Sequence, residues 1–238
     1  LIISVCPITY TILISLYEKT IYSGEVKKTN IGKSVAMQKP IANPISRDLK
    51  QQYAIEAKIK NQSLLLTKLG LNGAALKPLY MAVRSGDTDN REGIAAKVYW
   101  NLLFGGNFKR EREGPVPNAM LNYGYSILRA ATARALLGSG LLPNLGVFHK
   151  SRYNAFPLAD DVMEPYRPYV DEIVYQLYRD GHHEVNKTTK ELILRVLNCD
   201  VKIGSKTRPL QVALTFTSAS LMKYYSLEAK KLTLPEVT

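Results

Sequence analysis

Residues 45–70 read ISRDLKQQYAIEAKIKNQSLLLTKLG. Leu49, Tyr53, Ile55, Ile59, Leu65, Leu66 and Leu69 recur among polar residues, and Gly70 closes the run. Ser46 stands where an N-cap belongs. Apolar residues at helical spacing, a capping residue before them and a glycine after them predict one long helix. This reading decides the fold class, because the preceding chain has another character. Residues 1–45 are rich in β-branched residues and tyrosine, with turn-like Tyr22-Ser23-Gly24 and Asn30 to Gly32. That is strand composition. The expected fold is mainly α with a small N-terminal β-rich part (α+β). Residues 1–45 form the β-rich part and residues 46–238 an α-helical domain.

Residues 1–17, LIISVCPITYTILISLY, carry no charge. The run is short for a membrane span, holds Pro7 and is dotted with Ser, Thr and Tyr, so buried strand is the better reading. It lacks the basic lead of a signal peptide. The first residue is Leu1, not Met, and the expectation is a chain incomplete at its start.

Downstream of Gly70 the helical pattern continues. A short helix fits Ala74 to Arg84, with Pro78 early in it. In SGDTDNREGIAAKVYWNLLFGG, residues 85–106, Asp89 is a cap candidate for a helix ended by Gly105 and Gly106. Glu92 shares a helix side with Ala95, Ala96, Tyr99 and Leu103. Asp89-x-x-Glu92 has capping-box spacing, and an acid in a first turn suits the helix dipole. Glu92 is therefore either a cap or an inward carboxylate on a small-residue face. NFKREREG, residues 107–114, mixes charges and reads as a solvated loop. Pro117 opens a helix through PNAMLNYGYSILRAATARALL, stopped by Gly138-Ser139-Gly140. Gly124 inside it costs about 1 kcal/mol relative to alanine and predicts a close helix–helix contact. Arg129 and Arg134 on this helix suit a basic surface or ordinary solvated positions.

GVFHKSRYNAFPLADDVMEPYRP, residues 146–168, gathers the chemistry-bearing side chains. His149 is followed by Lys150 and Arg152, and then by Asp160, Asp161 and Glu164. On a helix, the three-residue offset puts Asp161 and Glu164 on one face. Two such acids repel unless a cation sits between them. An imidazole with carboxylates suits a divalent metal, Mn²⁺ or Mg²⁺. The plainer alternative is a helix cap at Asp160 or Asp161 and an ordinary loop histidine. Tyr166 to Asp180 is amphipathic, and His182 and His183 follow Gly181 in a turn with no carboxylate cluster accompanying them. Thr188-x-x-Glu191 suits a capping box. Val201 and Ile203 mark a short extended piece, Thr207 to Lys231 a last helix, and LTLPEVT a peripheral tail.

The chain has 238 residues, 46% of them hydrophobic, enough for one large domain or two modest ones. Its formal charge is +12, from 32 Lys and Arg against 20 Asp and Glu. That excess favours a polyanionic partner, a nucleic acid or an anionic membrane. Cys6 and Cys199 are far apart and fit a reducing interior better than a disulfide framework.

EAKIKNQSLLL, DNREGIAAKVYW, PNAMLNYGYSILRA and GLLPNLGVFHKSRYNAFPLADDVMEPYRP, in that order, resemble the CRISPR-associated integrase and endonuclease family, the protein numbered one in the Cas nomenclature, in its type II form. The likeness runs from about Ala57 to Pro235. It implies that Glu92, His149 and Glu164 are catalytic and hold Mg²⁺ or Mn²⁺, with Asp161 accompanying them. It implies integration of captured DNA fragments at the CRISPR repeat by a homodimer in the prokaryotic cytoplasm, with double-stranded DNA and the small second adaptation protein as partners, room for further type II adaptation proteins, and no membrane. Arg84, Lys150, Arg152 and Arg167 are the expected DNA contacts; Tyr153, Tyr166 or Tyr169 could stack on a splayed base, but an aromatic next to prolines is more often simply core. Family members carry an N-terminal β-rich domain, and residues 1–56 are short for it. Two other readings stay open, a non-catalytic DNA-binding scaffold and a stand-alone metal-dependent nuclease.

Overall fold

The computed structural model describes residues 54–84, 87–146 and 154–238. The expected β-rich part, its boundary near residue 45, the Ser46 cap and Cys6 lie outside the described residues. So do His149, Lys150, Arg152 and Tyr153.

The helix read from residues 45–70 is described as α1, Glu56–Lys68. It buries Ile59, Leu65 and Leu66, and Gly70 follows it with φ of 72°. A 3₁₀ turn at Gly73–Leu76 leads into α2, Lys77–Met81, which starts later and ends sooner than the expected Ala74 to Arg84. Pro78 sits in its first turn, where a missing N–H costs nothing. α3 spans Arg91–Phe104 and α4 spans Asn118–Gly138. α5, Pro157–Met163, runs into a 3₁₀ turn at Glu164–Tyr166 and then α6, Arg167–Arg179. α7 is Lys187–Leu194 and α8 is Leu210–Tyr225.

α4 is the central helix and packs against α5, α6, α7 and α8. Gly124 shows why. A Cβ there would collide with Val170 Cγ1 on α6 and crowd Ile193 Cγ2 on α7 at 3.2 Å. The missing side chain lets three helices meet, as the sequence predicts. Tyr99, Leu121, Leu128, Val170, Val174, Ile193 and Leu210 form the main core. Leu136, Leu141, Leu158 and Leu221 form a second cluster under α5.

The sheet of the described residues lies at the C-terminal end. β1, Asp200–Ile203, pairs antiparallel with β2, Lys206–Pro209, across a two-residue turn with Gly204 at φ of 60°. β3, Pro235–Glu236, pairs with the other edge of β1, giving the order β2-β1-β3. Three expectations are corrected here. Thr207 to Pro209 are strand, so α8 starts at Leu210, and it ends at Tyr225 instead of Lys231. The tail is part of the core: Val237 is 3% exposed, and Glu236 takes ammonium hydrogen bonds from Lys202 at 2.7 Å and Lys60 at 2.8 Å. Those two bonds hold the Glu236 carboxyl down at about 2. The α7 cap is Asn186 paired reciprocally with Thr189, two residues earlier than Thr188 and Glu191. Thr189 is fully buried, so its hydroxyl cannot wait for water. No helix of the described residues is long and apolar enough to cross a membrane.

Candidate active site

Two helix starts and one mid-helix face build the site. The first is the entry to α3. Asp87 and Asn90 both take left-handed backbone, at φ of 49° and 50°, which Asp and Asn tolerate best among residues with a Cβ. Asp87 accepts from the N–H groups of Arg91 at 2.7 Å and Glu92 at 3.1 Å, and Asn90 accepts from Gly93 at 3.3 Å. Asp89 is not the cap. It pairs loosely with Arg84 and Arg91, each at 3.7 Å. With the orphan donors already satisfied, the Glu92 carboxylate is free to point elsewhere.

It points to α1, where Lys58 Nζ donates to Glu92 Oε1 at 2.8 Å. The same ammonium lies 2.6 Å from Glu164 Oε2. The second helix start is the turn at Glu164 to Tyr166, and Asn61 holds it in place. Asn61 is one turn on from Lys58 and 1% exposed. Its amide donates to Pro165 O at 2.8 Å and Pro235 O at 3.0 Å, and its carbonyl accepts from Val237 N. One face of α1 thus fixes the Glu164 turn, the C-terminal strand and the cation between the acids.

Arg167 completes the cluster. Its Nη2 is 2.8 Å from Glu164 Oε1, and its guanidinium lies 4.5 Å above the Tyr125 ring. Burial alone would push the Lys58 ammonium down, but Glu164 and then Glu92 outweigh it and hold it above the ordinary range. The same balance of burial against Glu164 raises Arg167. Arg167, an expected DNA contact, turns its charge to Glu164 and an aromatic face, with 26% of its side chain exposed. Tyr166 and Tyr169 are core residues, 0% and 5% exposed, and Tyr166 shares a hydrogen bond with Thr217. Arg84 is exposed, as a DNA contact requires. Asp161 is 4% exposed on α5, and its charge bears on Tyr225. Asp160 accepts from Asn154 and pairs with Arg129 at 3.7 Å.

Behind Arg167 lies a carboxylate that the sequence did not single out. Asp171, fully buried on α6, accepts from Tyr99 at 2.8 Å and Tyr125 at 2.5 Å. Burial pushes its carboxyl up to about 6, against those two hydrogen bonds and the charges of Arg167 and Arg110. A raised carboxyl means that the folded chain binds the proton more tightly than the unfolded one. Stability from this group therefore falls as pH rises from about 4 to about 6 and is flat above. Asp171→Asn should flatten that slope, measured as the difference between wild-type and variant urea midpoints across the window. Equal slopes would contradict the assignment. The loop at residues 107–114 is tied to the same region: Arg110 donates to Asn118 and Asn122, and Asn118 accepts from Glu111 N. It is the solvated loop expected, pinned at Arg110 and Glu111.

The fit of this site to a divalent ion can be judged from the Lys58 ammonium, which stands in for one. Two carboxylates from separate segments already grip a single cation within 2.8 Å. Glu92, at 39% exposure, leaves it an open side. Oxygen donors of this kind, with an imidazole, suit Mg²⁺ or Mn²⁺. The described residues hold no group of three His, Cys, Asp or Glu side chains that could bind a metal, and the expected third ligand, His149, is outside them. The structure therefore brings Glu92 and Glu164 together. Lys58 and Asn61 are the site residues that motif reading passed over. Only Asn61 carried a signal, the polar run Asn61-Gln62-Ser63 within α1, all three of which are buried.

Residues 41–198 match the family described as CRISPR associated protein Cas1. The CRISPR-associated endonuclease Cas1 of Neisseria meningitidis serogroup C is 39% identical over 210 residues, covering 86% of this chain and 68% of that protein. The CRISPR-associated endonuclease Cas1 2 of Pyrobaculum aerophilum is 33% identical over 153 residues, 63% of this chain and 52% of its own length. The chain thus spans about half of that second relative. Among solved structures, a casposase bound to integration product superposes with a TM-score of 0.64 at 22% identity, over 87% of this chain and 69% of the other. A Cas1 protein from Thermotoga maritima gives 0.63 at 18%, over 78% and 68%. A partial Cas6-RT-Cas1–Cas2 complex gives 0.67 at 20%, over 91% and 76%. At these identities the structural likeness speaks for the fold alone.

Proposed function

The chain belongs to the Cas1 family of CRISPR-associated proteins, and from that premise we propose that it is a metal-dependent DNA integrase and endonuclease of CRISPR adaptation. The observation that carries this reading is the meeting of Glu92 and Glu164 on one cation. Glu92, His149 and Glu164 hold Mg²⁺ or Mn²⁺. When bound, the ion polarises the scissile phosphate and stabilises the departing oxygen.

The reaction exchanges one phosphodiester for another. The 3′-hydroxyl of the captured fragment forms a bond to phosphorus, and the bond from phosphorus to a 3′-oxygen of the repeat breaks. The attacking oxygen loses a proton, the departing oxygen gains one, and no nucleotide is consumed. The protein's part is placement. Asp87 and Asn90 fix Glu92 at the head of α3, and Asn61 and Arg167 fix the Glu164 turn, so both carboxylates are oriented before DNA arrives. The chain's excess of 32 Lys and Arg over 20 Asp and Glu supplies a cationic field for the DNA backbone, and affinity should fall steeply with salt. Arg84, Lys150 and Arg152 are the phosphate contacts of this reading. It works as a homodimer with the small second adaptation protein, on double-stranded DNA.

The test is strand transfer of a 3′-hydroxyl fragment into a repeat-bearing plasmid, with the small adaptation protein and either metal. Joining that disappears with chelator supports the reading. DNA binding that is equal with and without chelator, and never followed by joining or cleavage, overturns it in favour of a scaffold.

A further inference from the structure

We propose that Lys58 is a built-in counter-ion that fills the metal seat when no metal is bound and must leave it for the divalent ion to enter. The proposal rests on the metal-site reading above and adds a mechanism for how the site survives empty.

Glu164 has two oxygens with different fates. Oε1 is held by Arg167 at 2.8 Å, and Oε2 lies against Lys58 at 2.6 Å. Glu92 offers Oε1 to the same ammonium at 2.8 Å. The oxygens that an ion bridging Glu92 and Glu164 would take are therefore those that Lys58 occupies. Arg167 could stay where it is. Two carboxylates this close repel, and Glu164 is only 12% exposed, so water screens it poorly. Arg167 already balances one of the two negative charges and the ammonium balances the other; a divalent ion in place of the ammonium would leave one positive charge to face a DNA phosphate. Two cations cannot share the seat, because the repulsion that they would feel replaces the attraction that holds each one. The exchange is thus one for one.

Lysine suits this role better than arginine would. Its charge is compact and rides on a flexible four-carbon stem, so it can withdraw without moving the helix behind it. Lys58 sits inside α1, where Asn61 one turn on holds the helix to the Glu164 turn. The backbone frame stays in place while the side chain swings. Glu92 marks the open side of the seat, at 39% exposure.

A seat filled by its own lysine nine-tenths of the time weakens apparent metal affinity about tenfold. Lys58→Met should therefore bind Mn²⁺ about tenfold more tightly than wild type by titration calorimetry, and should melt lower than wild type in chelator. Lys58→Gln serves the same purpose should the methionine variant fail to fold. The wild-type protein gives a third measurement that needs no variant. Lys58, paired and 15% exposed without metal, should resist amine acylation until Mn²⁺ is added and then become labelled, read by peptide mass spectrometry. A wild-type protein that takes up no Mn²⁺ removes the metal site and this proposal together. Mn²⁺ uptake by wild type with equal or weaker uptake by the variants, or with Lys58 still protected from acylation, overturns the lysine exchange and leaves the metal site standing.

Discussion

Glu164→Gln should lower strand transfer by at least about 100-fold while leaving the fold intact. Glutamine keeps the length and one acceptor oxygen of Glu164, so the hydrogen bond from Arg167 to Oε1 can persist. What it loses is the charge on the oxygen that faces Lys58 and, in our reading, the ion. A bound ion supplies several kcal/mol of stabilisation to the charge that develops on phosphate and departing oxygen. At about 1.36 kcal/mol per tenfold in rate, losing even half of that reaches the stated factor. Glu92→Gln should fall comparably, because Glu92 is the other anionic arm. His149→Ala should do so if the imidazole completes the set. The three variants should act as one unit: a double substitution should cost little more than either single one, since a site with one ligand missing is already disabled. Strand transfer into a repeat-bearing plasmid, with thermal melts run alongside, separates lost chemistry from lost fold. Joining at the wild-type rate in both Glu92→Gln and His149→Ala would end the catalytic assignment.

The helical frame was legible because its signals are local. Gly138 to Gly140 ends α4, Gly124 marks a close approach of α4 to α6 and α7, and Val201 and Ile203 mark β1. Each depends on spacing or on one residue's steric properties. Helix caps were less legible, because several residues near a helix start have suitable side chains and only the backbone decides among them. Asp89 and Thr188 had the right chemistry, but left-handed turns at Asp87 and Asn90, and burial at Thr189, gave the work to others. The tail was misjudged for a different reason. Pro235 and Glu236 carry no strand pattern of their own, and their order comes from Lys60, Asn61 and Lys202, far away in sequence. The two glutamates came from the family resemblance, and residue types alone left Glu92 open between cap and ligand. The cations around them were invisible, because a lysine on a helix reads as solvated until its partners are known. Asp161 and Glu164 were the acids whose spacing suggested a cation between them; the cation found, Lys58, joins Glu164 to Glu92, which comes from a distant segment.

Arg167→Met should lower the unfolding free energy by about 3.5–5 kcal/mol, the largest stability effect expected in this site. Breaking a buried ion pair by removing one partner costs about 3–5 kcal/mol, chiefly because a charge is left uncompensated away from water. Glu164 is 12% exposed, which puts it in that regime. Lys58 still faces its other oxygen, which places the loss at the lower end. Methionine fills much of the aliphatic volume of the arginine stem, so little of the loss comes from a cavity. The Tyr125 ring loses the guanidinium that lies 4.5 Å above it, a further contribution of about 0.5–2 kcal/mol. Asp171 loses a cationic neighbour that favours its charged form, so its carboxyl should rise further from its already raised position. The decisive measurement is a double-mutant cycle by urea denaturation. Adding Glu164→Gln to Arg167→Met removes the stranded charge, so the double variant should be more stable than the sum of the two single losses predicts, by about 1–3 kcal/mol. A change within about 0.5 kcal/mol for Arg167→Met alone, the range of an ordinary surface substitution, would mean that Arg167 is not what holds Glu164 in place. Lys58 and the Asn61 clamp would then carry more of the work of keeping the second carboxylate aimed at the first.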